Sequence, residues 1–377
     1  MRIGFDGKRA VQNFTGLGNY SRYIVDILCQ FYPENDYVLY APKKRVNKRL
    51  NKLAKQYQHL LFSYPTTYAW KKLSALWRVW GVTRQLEKEG IDLFHGLSNE
   101  LPLNIHKSKV KSIVTIHDLI FLRYPQYYHS IDRKIYTYKF RKACENADKI
   151  IAISECTKRD IIEYFGISGD KIEVIYQGCD VSFAHPATEE KKREVRAKYQ
   201  LPEHYILNVG SIEERKNALS AVQALTMLPE QIHFVIVGRR TEYTDKIERF
   251  IKENKLEGRV HIISNVPFEE LPSFYQLADI FVYPSRFEGF GIPIIEALYS
   301  GIPVVAATGS CLEEAGGPDS IYIHPDDIKG IANAFKLIYS DPEKKKDMIE
   351  KGQKFAKRFS EEKQAKEILN IYKKLIK

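Results

Sequence analysis

The sequence lacks a long apolar stretch, since no hydrophobic run approaches the ~20 residues that a membrane-spanning helix requires. It also lacks a signal-peptide pattern, because residues 1–6 open directly on a strand-like stretch. The five cysteines are scattered and show neither Cys-x-x-Cys nor metal-ligand spacing. These absences favour reduced thiols and a cytoplasmic protein.

The amino-acid composition is typical of a folded chain. Hydrophobic residues make up 44% and charged residues 28% of the sequence, which excludes a disordered protein. At 377 residues the chain is too long for a single ordinary hydrophobic core and has the length expected of two domains.

The net charge of +11 is unevenly distributed. Residues 1–182 hold 29 Lys and Arg against 18 Asp and Glu, whereas the rest of the chain holds 29 of each sign. This bias favours an anionic partner, namely a membrane surface, a phosphorylated acceptor or a nucleic acid; a merely soluble basic surface is the alternative. We expect no nucleic acid, because no DNA- or RNA-binding motif accompanies the charge.

Hydrophobic periodicity predicts an α/β protein with parallel sheets. β-branched runs alternate with helical patterns, which is typical of parallel strands covered by helices. The first half contains strand patterns at residues 3–6, 37–40, 93–95, 111–117, 149–154 and 171–176. The second half contains them at residues 205–209, 231–237, 260–263, 279–283, 303–306 and 321–323.

A polar, charged stretch over residues 184–198 interrupts this alternation. We therefore predict one domain over residues 1–182 and a second over 183–360. The Lys/Glu-rich segment 361–377 is expected to form a helix that packs back on the first domain.

One motif joins a strand to a helix over residues 284–301. Its loop holds Gly289 and Gly291, and the following helix contains Pro293 near its start. Glycines let a backbone approach a ligand closely, and a helix N-terminus presents free N–H groups to an anion such as pyrophosphate. Glu288 and Glu296 supply carboxylates for sugar hydroxyls, although an ordinary turn with solvent-facing glutamates has the same pattern.

This segment resembles the E-x7-E signature of retaining glycosyltransferase family 4, also called group 1, whose fold is GT-B. Residues 205–217 (YILNVGSIEERKN), 301–306 (GIPVVA) and the pair Gly316-Gly317 resemble further stretches of that family. The resemblance implies two Rossmann-like domains that face each other across an interdomain cleft. The first domain would bind the acceptor, and the second the nucleotide-sugar donor.

The resemblance also implies roles for residues of the second domain. Glu288 would contact the donor sugar and Glu296 the nucleotide ribose. The backbone of residues 289–292 would cradle the sugar and phosphate, through Gly289, Phe290, Gly291 and Ile292. Asn265 and Val266 would border the nucleobase, with Leu271 packed nearby.

Arg215 and Lys216 match the pair of cations that grips the diphosphate in the family. Fixed cations stabilise the negative charge that develops on a departing phosphate, and they need no metal. Some relatives carry an additional Arg after the glycine equivalent to Gly210, where this chain has Ser211. Ser211 is still expected beside the donor.

In the first domain, Gly16 and Gly18 resemble the family's N-terminal glycine loop, although a plain tight turn is the alternative. His117 follows the strand at residues 111–117 and matches a histidine near the donor sugar and phosphate. His95, at another strand end, is a weaker candidate of the same kind.

The implied reaction transfers a hexose from a nucleoside-diphosphate sugar to an acceptor hydroxyl, with retention and without a metal or other cofactor. The opening pattern resembles a subgroup with bacterial mannosyltransferases, which favours mannose and a lipid-linked or polysaccharide acceptor. The alternatives are a catalytically silent sugar-nucleotide-binding module, or a phosphorylase or epimerase with the same fold.

A helix-like segment holds all three tryptophans, Trp70, Trp77 and Trp80, among lysines and arginines. Residues 43–55 add a second basic cluster. Aromatic residues mixed with cations suit the lipid interface, so we predict a docking face on the inner side of the membrane. An amphipathic core helix with a basic solvated side is the alternative.

Overall fold

The computed structural model describes residues 1–13, 16–45 and 47–376. Thr15, which opens the predicted glycine loop, Val46 in the basic stretch and Lys377 lie outside the described residues. The chain divides into two compact units. The first comprises residues 1–176 and 361–377, and the second comprises residues 177–360.

The first unit is built on a seven-stranded parallel sheet with strand order β3-β2-β1-β4-β5-β6-β7. The strands are β1 (Arg2–Asp6), β2 (Asp36–Tyr40), β3 (Leu60–Ser63), β4 (Leu93–Gly96), β5 (Lys111–Ile116), β6 (Lys149–Ala152) and β7 (Ile172–Val174).

The second unit is built on a six-stranded parallel sheet with strand order β10-β9-β8-β11-β12-β13. Its strands are β8 (Tyr205–Val209), β9 (His233–Val237), β10 (Val260–Ile263), β11 (Ile280–Tyr283), β12 (Val304–Ala307) and β13 (Ile321–Ile323). The predicted parallel α/β class is therefore confirmed in both units.

Helices connect the strands of each sheet. In the first half these are α1 (Lys8–Gln12), α2 (Gly16–Phe31), α3 (Lys48–Gln56), α4 (Tyr68–Lys72), α5 (Ser74–Leu76), α6 (Val82–Lys88), α7 (Ile120–Arg123), α8 (Ser130–Asn146) and α9 (Glu155–Phe165). In the second unit they are α10 (Glu189–Tyr199), α11 (Ala218–Leu225), α12 (Glu242–Glu253), α13 (Leu271–Gln276), α14 (Ile292–Tyr299), α15 (Leu312–Gly316), α16 (Ile328–Ser340) and α17 (Pro342–Ala356). The last helix, α18 (Glu361–Ile376), belongs to the first unit.

Buried aliphatic side chains fill the space between sheet and helices. In the first unit, Ile3 and Leu93 of neighbouring strands pack with Ile24 and Leu28 of α2. Helix α18 contributes Ile368 to the same core. The strands are apolar on both faces because helices cover both faces of the sheet.

The three tryptophans that were predicted to share one docking face differ in their exposure. Trp77 is only 1% exposed and packs in the core, so the prediction that it belongs to a docking face was wrong. Residues 77–81 form a π-helical turn between α5 and α6, which turns Trp77 inward while Trp80 stays 47% exposed. Trp70 is partly buried against that core.

No helix in the described ranges combines the length and the apolar character that crossing a bilayer demands.

Candidate functional site

The loop between β11 and α14 carries the E-x7-E motif. The chain leaves the buried strand β11, and α14 begins directly after Gly291. Gly291 has φ +141°, and a Cβ there would lie 3.2 Å from both Ala315 Cβ and Leu312 Cδ2. Only glycine fits this conformation and this close approach, so the loop geometry depends on it.

Glu288 lies between the two cations that the sequence singled out. Arg215 Nη1 is 2.9 Å from Glu288 Oε2, and Lys216 Nζ is 3.1 Å from Glu288 Oε1. The three side chains are between 13% and 16% exposed. Tyr283 and Ser285 hydroxyls also donate to Glu288 Oε1, at 3.0 and 2.9 Å. Residues 72 positions apart in sequence thus form one ion triad.

The triad is ionised at neutral pH. Burial disfavours the charged carboxylate of Glu288, but the charges of Lys216 and Arg215 outweigh it and lower the pKa to about 2. Burial likewise opposes the ammonium of Lys216, and Glu288 outweighs it, so the pKa of Lys216 is raised. Glu213 also lies 3.8 Å from Arg215 and 3.9 Å from Arg239, so three cations and two carboxylates leave one net positive charge, which suits an anionic ligand.

The loop that carries the two cations is fixed by its backbone. Lys216 lies over Gly210, where a Cβ would be 3.3 Å from Lys216 Cδ. The Arg286 N–H donates to Arg215 O at 2.9 Å. Asn217 adopts the left-handed conformation with φ +54°, and its amide donates to Pro284 O and Pro325 O at 3.3 and 2.8 Å.

Asn217 therefore joins three loops at the site. Sequence reasoning missed it, although an Asn directly before a helix is a recognisable turn residue. Sequence reasoning also did not identify Cys311 as a residue of the site. Its thiol donates to Phe290 O at 2.7 Å and so holds the glycine loop.

Glu296 has a different environment from Glu288. Its Oε2 accepts a hydrogen bond from Tyr275 Oη at 2.7 Å. Burial raises the pKa of Glu296 to about 7 and outweighs the hydrogen bond from Tyr275, which lowers it; the charge of Asp180 adds a smaller upward effect. One glutamate of the motif is thus firmly ionised, and the other titrates near neutral pH.

The other residues predicted at the donor follow the carboxyl ends of strands. Ser211 comes shortly after β8, and Asn265, with φ +60°, and Val266 follow β10. Leu271 begins α13, and Ile292 begins α14. Carboxyl ends of parallel strands meet at one edge of a sheet, where ligands of open α/β sheets bind.

In the first unit, His117 follows β5 and is buried. Its Nε2–H donates to Leu97 O at 2.9 Å, and its backbone N–H donates to Asn99 Oδ1 at 2.7 Å. The Tyr20 ring packs edge-on, with ring centroids 4.5 Å apart. Burial lowers the pKa of His117 to about 4, so the ring is neutral at pH 7.

The structure contradicts the weaker assignment of His95. The side chain is fully buried, with Nδ1 2.6 Å from Tyr372 Oη of α18 and Nε2 2.8 Å from Thr115 Oγ1. Burial lowers the pKa of His95 to about 3. His95 is an internal packing residue, because its strand turns it toward α18.

The two glycines at the start of α2 differ. A Cβ on Gly18 would lie 2.0 Å from Asn13 O, so packing alone accounts for Gly18. Gly16 is exposed and has open space around its Cα. Only Gly16 therefore leaves room for a ligand.

Among the residues that the structure describes, no group of three or more His, Cys, Asp or Glu side chains is arranged to hold a metal ion. The five cysteines are all free and buried.

Comparisons with known proteins agree with this architecture. The family profile described as Glycosyl transferases group 1 matches residues 189–355, and the profile described as Glycosyltransferase Family 4 matches residues 21–183. O-antigen chain mannosyltransferase B of Escherichia coli is 30% identical over 289 residues, which cover 75% of this chain and 74% of that protein. O-antigen chain mannosyltransferase RfbU of Salmonella typhimurium is 27% identical over 230 residues, 61% of each chain.

A solved structure of Anabaena HepE, in complex with UDP and glucose, matches all of both chains with a TM-score of 0.78 and 17% identity. Two parallel-sheet α/β units of this kind define a GT-B glycosyltransferase fold. The chain belongs to glycosyltransferase family 4, within the group 1 glycosyltransferases.

Proposed function

We propose that the protein transfers mannose from a nucleoside-diphosphate sugar to an acceptor hydroxyl, with retention at the anomeric carbon and without a metal ion. The observation that carries this proposal is the partly buried Arg215–Glu288–Lys216 triad, whose net positive charge suits a diphosphate. The two relatives named as O-antigen chain mannosyltransferases support mannose and a cell-surface polysaccharide acceptor. The UDP and glucose in the HepE complex support a nucleotide-sugar donor.

In this proposal each charged residue has a distinct task. As the bond between the anomeric carbon and the β-phosphate oxygen breaks, Arg215 and Lys216 stabilise the charge that develops on the phosphate. Glu288 accepts hydrogen bonds from sugar hydroxyls, and Glu296 accepts them from the ribose. Glu288 does not act as a general acid, since its cations hold it ionised, and Glu296 is assigned to the ribose rather than to the reacting bond.

The new bond forms on the face that the phosphate leaves. The acceptor oxygen attacks the anomeric carbon, and its proton passes to an oxygen of the departing phosphate, so no protein base is needed. His117, neutral at pH 7, is placed to hydrogen-bond rather than to supply charge.

The test is transfer of radiolabelled sugar from GDP-mannose and UDP-glucose to a panel of lipid-linked and glycan acceptors, with and without EDTA. Transfer that persists in EDTA, with an unchanged anomeric configuration by NMR, is expected. Donor binding without any turnover would instead indicate a silent binding module. Free sugar phosphate or an epimerised nucleotide sugar would indicate a phosphorylase or an epimerase.

We also propose that α4, α5 and the start of α6 dock on the cytoplasmic face of an anionic membrane. Four large side chains there are exposed beside the exposed cations Lys71 and Lys72: Tyr68, Leu73, Leu76 and Trp80. Charge complementarity with the basic first half favours a bilayer of anionic lipid as the partner.

Cosedimentation with phosphatidylglycerol vesicles tests this surface. Leu76→Ser with Lys72→Glu should weaken vesicle binding, and the matched change Leu337→Ser with Lys336→Glu on α16 should not. Binding to purely zwitterionic vesicles that is unaffected by salt would contradict the proposed docking.

A further inference from the structure

The first βα turn of the first unit carries two adjacent cations, Lys8 and Arg9, in α1 directly after β1. Within the described part of the chain, neither side chain has an ion-pair or hydrogen-bond partner. Both side chains are partly exposed.

The nearest carboxylates are already neutralised by other cations. Arg78 binds Asp6 through two guanidinium nitrogens, and its Nη1 lies 2.5 Å from Glu100 Oε2. Lys139 Nζ lies 3.7 Å from the same Glu100 oxygen. The pKa of Lys8 is lowered by burial and by the charge of Arg78, which together exceed the opposing effect of Glu100 and Asp6. Asp6 and Glu100 are thus engaged by Arg78 and Lys139 rather than by Lys8.

A third cation lies buried beside this turn. Arg22 of α2 is only 5% exposed, and its guanidinium donates to neutral oxygens: Ala10 O and Asn13 O, both at 2.8 Å, and Asn19 Oδ1 at 2.7 Å. Burial and the charge of Arg49 lower the pKa of Arg22 to about 10, so it remains charged at neutral pH. A buried cation that is hydrogen-bonded but not neutralised adds positive potential to the turn.

The position of the turn is that of a ligand site. β1 lies in the middle of the sheet between β2 and β4, and ligands of open parallel sheets bind beyond the carboxyl ends of such strands. The 16-residue helix α2 begins at Gly16, and its N-terminal end adds to the positive potential. The charge of Arg9 also contributes to the lowered pKa of His117, after the larger effect of burial, so Arg9 lies near that histidine.

We propose that the first unit has an anion site of its own, in which Lys8 and Arg9 bind a phosphoryl group and Arg22 supplies buried charge behind them. Lys8, Arg9 and Arg22 belong to the first unit, whereas Arg215 and Lys216 belong to the second. Two substrates can supply the phosphoryl group, namely a phosphorylated acceptor or the diphosphate of the donor. That choice of source rests on the proposed transfer reaction, whereas the anion site itself does not.

Isothermal titration of the full chain with inorganic pyrophosphate tests the site directly. The wild type is expected to bind two equivalents. In the Lys8→Gln/Arg9→Gln variant one of them should weaken at least about tenfold, because two charge-assisted contacts are lost while helix propensity is kept. The matched variant Lys158→Gln/Arg159→Gln, which alters the Lys-Arg pair of α9, should bind like the wild type. Thermal unfolding within about 2 °C of the wild type shows that each variant folds.

Lys216→Gln separates this proposal from the proposed donor site. If Lys216→Gln has no effect while Lys8→Gln/Arg9→Gln removes binding, the site in the first unit stands and the donor site fails. If pyrophosphate binds the Lys8→Gln/Arg9→Gln variant as it binds the wild type, the anion site in the first unit is overturned.

Steady-state kinetics then identify the source. A raised KM for a phosphorylated acceptor, but not for the same acceptor without phosphate, assigns the group to the acceptor. A raised KM for the donor assigns it to the donor diphosphate. Unchanged KM values for both substrates would overturn a role of Lys8 and Arg9 in binding either substrate.

Discussion

At the scale of single residues, the two glutamates of the motif differ because their neighbours differ. Glu288 faces two cations, so its carboxylate is stabilised in spite of burial. Glu296 accepts a hydrogen bond from Tyr275, and the effect of burial on its pKa exceeds that of this hydrogen bond. The same residue type, eight positions apart, therefore has opposite pKa shifts.

Glu288→Gln should lower kcat/KM by roughly 100-fold, because it removes the carboxylate from between two partly buried cations. The shape of the side chain and the hydrogen bond from Ser285 are preserved. Initial-rate kinetics check this, with the exposed Glu269→Gln as the control. Wild-type kinetics in Glu288→Gln would remove Glu288 from the site.

The raised pKa of Glu296 predicts that donor binding depends on pH. Below pH 7 the carboxyl is protonated and has one fewer acceptor for ribose hydroxyls, so nucleotide affinity should rise between pH 6 and 8. Titrations of the wild type and Glu296→Gln with nucleoside diphosphate check this, and the variant should lack the rise.

The same raised pKa has a consequence for stability. The folded protein holds this proton more tightly than the unfolded chain, so the stabilisation is complete below about pH 4.5 and is lost as the pH rises through 7. The unfolding free energy of the wild type, relative to Glu296→Gln, should therefore decrease over that interval. An increase in this relative unfolding free energy between pH 4.5 and 7 would contradict the burial of a neutral carboxyl at Glu296.

At the scale of elements, the loop between β8 and α11 shows how local conformation positions charge. Asn217→Gly keeps access to positive φ but removes the bonds to Pro284 O and Pro325 O. We expect a loss of about 1–2 kcal/mol in stability and weaker nucleotide binding, since the three loops lose their common link. Lys255→Gly, at another residue with positive φ, is the matched control and should not lower nucleotide affinity.

At the scale of the whole molecule, the first unit depends on a helix that follows the entire second unit in sequence. Ile368 of α18 is fully buried in the first core, so Ile368→Ala should cost about 2–5 kcal/mol there. In denaturant unfolding, the transition of the first unit should shift to a lower denaturant concentration, while the protein should still bind nucleotide. Leu337→Ala, at an exposed position of α16, should leave both properties unchanged.

The sequence alone predicted most strands, with ends within two residues of those observed. Strands and helices follow from local periodicity, and β-branched runs such as residues 205–209 give a clear signal. The edge strand β3 (Leu60–Ser63) was missed, because four residues that are buried only at their first position show no alternation. The motif around Glu288 could also be predicted from the sequence, since Gly291 is required by its local backbone conformation.

Tertiary structure decided what no local pattern contains. The sequence identified Arg215, Lys216 and Glu288 separately, but only folding brings them within 3.1 Å. A strand end likewise predicts the position of His95 and not the direction of its side chain, which the contact with Tyr372 fixes. Periodicity and turn chemistry act over a few residues, whereas ion pairing, burial and the resulting pKa values depend on neighbours far away in the chain.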